Sequence, residues 1–258
     1  MRHPSAGNDG GRHLSLLHEP PRWLLVGSSR WHLAERAGGR VRFRDGHAEV
    51  CALPSPPVAW AAVGAVPPDC PLPPERRVRL DHVPLRDTPP WLGVDRALAG
   101  WEAWRQARRP VLVADAGTVL SLTLVDEEGR FRGGRLLPGV ALQLRSMAQA
   151  TQALPLLEPP WLEQDLFLAD PAWPRPTAAA MRQGVGAGVA AAIEDGLTAV
   201  EAALPGACLV LTGGDAELLQ PILAGNPRMG PRRWQLRPGL CLESLMRLRP
   251  PPAGSGVS

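Results

Sequence analysis

The chain contains no lysine: all 28 of its Lys/Arg positions are arginine. That absence excludes a Walker-type phosphate loop, a protein-kinase strand lysine and a pyridoxal Schiff base together, because each depends on an ε-amino group. Tyrosine is missing as well, and with abundant Ala, Arg, Gly and Pro this reads as compositional bias of the source genome. The four cysteines, Cys51, Cys70, Cys208 and Cys241, form no CxxC pair, which suits a reduced, cytoplasmic protein with incidental thiols. All six histidines precede residue 83 and none belongs to an HExxH, so no zinc site is expected. No apolar run reaches the length of a membrane span. Nor is there a cluster of arginines interleaved with stacking aromatics, and the net charge is only +3, so neither a membrane nor a nucleic acid is an expected partner. Residues 1–20 are polar and lack the apolar centre of a secretory signal; they and the tail 250–258 are expected to be disordered.

Of the 258 residues, 45% are apolar and 21% charged, enough to bury the core of one large or two small domains. Apolar stretches bounded by turn residues predict strands at Trp23–Val26, Trp31–Glu35, Val41–Phe43 and Val58–Val66, with a proline-rich connection over 67–90. Val94, Leu98 and Trp101 recur at helical spacing and predict a helix over Val94–Arg108, stopped by Pro110. Val111–Ala114 followed by alternating Leu120, Leu122 and Leu124 is a hairpin signature. A helix follows Pro138-Gly139, and a long one starts at Thr177, where Met181, Val185, Val189 and Ile193 repeat every four residues. Its Gly184, Gly186 and Gly188 each cost roughly 1 kcal/mol against alanine, so close helix–helix approach is expected to compensate. A strand at Cys208–Leu211 opens into a turn and a short helix. Leu24–Glu35 and Val111–Asp126 echo one another as strand, small-residue turn and returning strand, which suggests a duplicated α/β domain.

Three constellations bear on chemistry. In Asp115-Ala116-Gly117-Thr118 a buried strand delivers a carboxylate at its C-terminal end, where open α/β sheets place ligands. Gly117 admits a phosphate close to the backbone and Thr118 offers a hydroxyl; an aspartate there implies an intervening cation, magnesium carried by a nucleotide. In Thr212-Gly213-Gly214-Asp215, paired glycines between strand and helix let a flat or charged group lie on the backbone at a helix N-terminus. In Gly93-Val94-Asp95-Arg96 the carboxylate is either a helix cap or a general base beside an anion-binding arginine, and the residues alone leave both open. A helix N-terminus is expected to lower the pKa of Asp95. The first two strings also serve as plain turns.

Taken in order, GVDRALAGWEAW, VLVADAGTVLSLTLVD, GGRLLPGV, TAAAMRQGVGAG and LVLTGGDAELL resemble the type III pantothenate kinase family over residues 22–247. The resemblance implies an α/β protein of two ribonuclease-H-like domains of the actin-like ATPase superfamily (acetate and sugar kinases, Hsp70, actin), here expected at 21–109 and 110–249. It implies ATP-dependent phosphorylation of pantothenate, with Mg2+ and a monovalent cation, K+ or NH4+, in a cytoplasmic homodimer. By position it makes Asp95 the proton acceptor, and Gly93, Val94, Arg96 and Thr177 the substrate-binding residues, Thr177 at a domain or subunit seam. ATP falls to Gly27, Ser28, Ser29, Arg30, Gly117, Thr118, Gly213 and Gly214, and the cation to Asp115.

The family's first phosphate motif, Asp-x-Gly-Asn-Thr, is matched here by Leu25-Val26-Gly27-Ser28-Ser29, so the leading carboxylate is replaced by Leu25 while hydroxyls remain at 28 and 29. Two alternatives therefore stand beside the kinase: a catalytically weakened relative acting as a regulatory or binding protein, and another small-molecule kinase of the same fold.

Overall fold

The computed structural model describes residues 19–46, 53, 55–157, 173–227, 229 and 234–250. Strand β1 (Arg22–Val26) turns back into β2 (Trp31–Ala37), and Gly38 and Gly39 close a tight turn into β3 (Arg40–Gly46). Both glycines have positive φ, 55° and 74°, the geometry whose twist matches a two-residue hairpin. β4 (Ala59–Ala62) pairs parallel to β1, giving the order β3-β2-β1-β4. The strand expected over 58–66 is shorter because the chain bends after Ala62, with the amides of Val63 and Gly64 both donating to the Val26 carbonyl.

The second half repeats the plan. β5 (Val111–Ala116), β6 (Val119–Val125) and β7 (Phe131–Pro138) form an antiparallel meander. β8 (Cys208–Thr212) and then β9 (Trp234–Leu236) add in parallel beyond β5, giving the order β7-β6-β5-β8-β9. A three-strand meander extended by strands parallel to its first member is the ribonuclease-H-like arrangement, and its duplication is the plan of the actin-like ATPases.

The helices are α1 (Val94–Ala107), α2 (Val140–Ala150), α3 (Thr177–Ala203), α4 (Ala216–Ala224) and α5 (Leu240–Leu248). α1 ends at Ala107 with Arg108 left-handed at φ 52°, its amide donating to the Trp104 carbonyl just ahead of Pro110. α1 and α5 pack together between the two sheets, so Trp23, Leu98, Val113, Val210 and Leu245 share one core. α2, α3 and α4 cover the far face of the second sheet, burying Leu120, Leu122, Ile193, Leu197 and Leu211. A third cluster, Leu24, Trp31, Leu33, Trp60 and Cys70, lies on the other face of the first sheet. Each such side chain contributes about 1.5–3 kcal/mol on burial. Two of the buried indoles donate to backbone carbonyls, Trp23 to Arg249 at 2.8 Å and Trp60 to Pro73 at 2.7 Å.

On α3 the sheet-facing stripe is Met181, Val185, Val189, Ile193 and Leu197, while Ala180, Gly184, Ala187, Gly188 and Ala191 are exposed. Within this chain the glycines that serve close packing are Gly186, which is buried, and Gly196, whose Cβ would stand 2.9 Å from Leu122. Gly184 and Gly188 face open space, which departs from the expectation.

The ends expected to be disordered, 1–20 and 250–258, lie outside the described residues except for 19, 20 and 250, and Cys51 lies outside them too. Cys70, Cys208 and Cys241 are buried. Among the described residues no helix is long and apolar enough to cross a membrane.

Candidate active site

Three turns at strand ends meet over one cavity of about 630 Å³: Gly27–Arg30 after β1, Ala116–Thr118 after β5, and Gly213–Asp215 after β8. They are tied to one another. Ser29 Oγ lies 2.5 Å from Thr118 Oγ1, joining the turns of the two sheets across the cleft. The Asp215 amide donates to the Ala116 carbonyl at 2.8 Å. Gly213 has φ +94°, and a Cβ there would lie 2.4 Å from both Ala116 O and Asp115 Oδ1, so only glycine closes this contact. Gly139 has the same role behind the second turn, where a Cβ would stand 1.9 Å from the Gly117 carbonyl. From the first turn Arg30 reaches across, its Nη1 3.6 Å from where a side chain on Gly214 would begin.

Three carboxylates, Asp95, Asp115 and Asp215, line the cavity. Burial raises the Asp115 pKa to about 6, with further upward pressure from Asp95 and Asp215 and relief from His32. Asp215 is also raised to about 6 by burial, moderated by Arg30. Asp95, the second residue of α1, is raised by burial as well, although its Oδ1 accepts the Arg96 amide at 2.8 Å and the Arg96 charge lies close. The expected lowering by the helix N-terminus is thus overturned, because desolvation outweighs the local donors. Nor is Asp95 the N-cap, which is Gly93. Arg96 is held by Nε donation to Thr123 Oγ1 at 3.0 Å and by the Phe131 ring 5.6 Å away.

Most of the expected residues converge here: Gly27, Ser28, Ser29, Arg30, Asp95, Arg96, Asp115, Gly117, Thr118, Gly213 and Gly214 all line the cavity. Three do not. Val94 is buried in the shared core, and Gly93 packs against the Asp95 carboxylate, where a Cβ would lie 2.5 Å from Oδ1. Thr177 opens α3 as an exposed residue and does not line this cavity among the described residues. Sequence reasoning missed Arg145 and Ser121 as lining residues, and the contact of His32 Nδ1 with Asp45 Oδ1 at 2.8 Å; Asp215, in the turn singled out at 212–215, lines the cavity too. The His32–Asp45 contact was readable from the Gly38-Gly39 turn, whose register sets His32 opposite Asp45. A second chamber of about 370 Å³ adjoins the first and shares Leu25, His32, Asp115, Gly213 and Gly214 with it.

Hard carboxylate oxygens whose ionisation is disfavoured by burial suit a hard cation. Among the described residues no group of three or more Asp, Glu, His or Cys forms a cage. The fit is therefore to a cation of the magnesium type, held by one or two carboxylates together with phosphate oxygens.

The sequence model of the type III pantothenate kinases matches residues 75–199. A type III pantothenate kinase of Synechococcus sp. (strain JA-3-3Ab) is 38% identical over 241 residues, covering 90% of this chain and 93% of that protein. The chain belongs to the type III pantothenate kinase family. Another member, from Synechococcus elongatus, is 39% identical over 175 residues, 68% of this chain and 66% of its own. Solved structures similar to this kinase include an ethanolamine utilization protein from Carboxydothermus hydrogenoformans, with TM-score 0.48, 12% identity and 89% of each chain covered. A glucokinase from Balamuthia mandrillaris in complex with glucose has TM-score 0.46 and 10% identity, covering 90% of this chain and 93% of its own. Members of this family are phosphotransferases, and the cavity offers turn amides, hydroxyls, carboxylates and arginines as its polar groups.

Proposed function

We propose that this chain transfers the γ-phosphate of ATP to the 4′-hydroxyl of pantothenate, the step that opens coenzyme A synthesis. The observation that carries the reading is the convergence of Asp95 with the three turns on one cavity. Asp95 takes the hydroxyl proton as the oxygen bonds to the γ-phosphorus and the bond to the β-phosphate oxygen breaks, releasing ADP. Its raised pKa makes it a stronger base than an exposed aspartate, while its contact with the Arg96 amide fixes one oxygen and leaves the other for the substrate. Arg96, anchored by Thr123, offers a guanidinium to the pantothenate carboxylate. Amides and hydroxyls of 27–29 and 116–118 receive the phosphates. Magnesium carried by ATP, and K+ or NH4+ at Asp115, would offset phosphate charge there.

We take residues 21–109 and 110–249 as its two lobes and the cytoplasm as its site. We also infer a homodimer. Support comes from the exposed Ala180, Gly184, Ala187, Gly188 and Ala191 on α3, small side chains that allow two helices to approach closely. Thr177 begins this helix, so a second copy would be the route by which it reaches a substrate pocket. The test is ADP release with and without pantothenate: release that requires pantothenate supports the reading, and release indifferent to it overturns it. Leu25 favours one second reading, a weakened relative that binds nucleotide without turning it over, and the same assay beside a nucleotide-binding measurement separates the two.

A further inference from the structure

Leu25 stands two residues before Gly27, as Asp115 stands two residues before Gly117, so the first hairpin presents a buried apolar side chain where the second presents a carboxylate. Directly across from Leu25 on β2 is His32, and across from His32 on β3 is Asp45. The Asp45 carboxylate is held below its ordinary pKa, first by its bond to His32, and so can only accept; His32 Nδ1 therefore carries the hydrogen in their 2.8 Å contact. This fixes the ring with its other nitrogen toward the first turn. Nε2 lies 3.4 Å from where a side chain on Gly27 would begin. Because Gly27 has none, no side chain from that position covers Nε2, and the Arg30 carbonyl stands 2.7 Å from the same point. His32 lines both chambers, at their junction. In a chain without lysine, Arg30, Arg96, Arg145 and His32 are the basic side chains on the larger cavity, which also carries Asp95, Asp115 and Asp215.

We propose that His32, oriented by Asp45, binds the polyphosphate of the nucleotide through Nε2. It supplies from β2 an anchoring contact that β1 lacks at Leu25. This rests on the reading of the cleft as an ATP site. A charge-assisted hydrogen bond of this kind is worth about ten- to a hundredfold in affinity.

The experiment measures Mg-ATP binding by calorimetry, and KM for ATP and for pantothenate, on the full chain and on His32→Leu, His32→Arg and Asp45→Asn. His32→Leu is expected to weaken ATP binding and raise the ATP KM by about ten- to a hundredfold, with the pantothenate KM and the melting temperature unchanged. His32→Arg, which supplies N–H donors able to meet both Asp45 and phosphate, is expected to recover most of that loss. Asp45→Asn should show a smaller loss in the same direction. Unchanged ATP binding in His32→Leu overturns the proposal, as does an equal loss for both substrates, which would mark a role in folding. If the wild-type chain itself fails to bind Mg-ATP, the nucleotide reading falls and the proposal with it; if it binds and His32→Leu binds equally well, the proposal alone falls.

Discussion

Replacing Asp115 by asparagine should make the nucleotide-free protein more resistant to heat at neutral pH while removing its catalytic competence. The carboxylate stands at the C-terminal end of β5, with a pKa raised from 3.8 to about 6. A carboxylate raised on folding holds its proton more tightly in the native state. Its contribution is thus full below the unfolded pKa of 3.8, declines as pH rises, and is lost once pH passes about 6. A rise of that size corresponds to about 3 kcal/mol, and solvent reaching the carboxylate from the cleft reduces this to about 1–3 kcal/mol. Asparagine keeps the shape and carries no charge at any pH in that window. The gap in melting temperature between variant and wild type should therefore widen from pH 4 to pH 7, by about 2–10 °C for a chain of this size. Differential scanning calorimetry of both proteins, free of nucleotide and of divalent cations, measures it. Taking the difference at each pH cancels Asp45 and Glu102, whose lowered pKa values slope the other way. A gap that is constant or narrows toward pH 7 would refute the claim that Asp115 is destabilised by burial.

Asp95→Asn should lower kcat by about 10²–10⁴-fold without lowering the melting temperature, since asparagine still accepts the Arg96 amide but cannot take a proton; a variant keeping more than about a tenth of wild-type turnover would return Asp95 to a structural role. Turnover should be faster in potassium or ammonium than in a bulky organic cation at fixed magnesium, and equal rates would remove the monovalent site from Asp115. Light scattering should give twice the 27.6 kDa chain mass, and Gly188→Arg, on the open face of α3, should give a folded monomer. A wild-type monomer at micromolar concentration would refute the dimer.

The hairpins were legible in the sequence because alternation and glycine turns fix strands locally: Gly38-Gly39 sets one register, and Val111–Val125 reads as strand, turn and strand. The carboxylates Asp95 and Asp115 were legible because each sits at the start or end of an element where ligands collect. What could not be read was anything set by distant packing. The direction of the Asp95 shift depends on how deeply the end of α1 is buried, which no local pattern around Gly93-Val94-Asp95 encodes. Arg145 lies on α2, whose spacing says helix but not which residues overlook the cleft. The Ser29–Thr118 contact joins residues from separate repeats and depends on how the two sheets face each other. Gly184 and Gly188 read as packing glycines, yet no part of the described chain stands opposite them.

The return of α5 to the first sheet bears on how the molecule is made. Leu240, Leu242, Leu245 and Met246 complete a core whose other members include Trp23, Leu98 and Trp101, and the Trp23 indole is satisfied by a carbonyl at Arg249. More than 200 residues separate these partners along the chain. On the ribosome, then, the first sheet emerges early but stays open on one face until α5 has been synthesised and threaded back. Contacts of such long sequence separation slow folding and leave apolar surface exposed to other nascent chains meanwhile. Expression yield should consequently be sensitive to changes in residues 240–249 that touch neither substrate nor cleft.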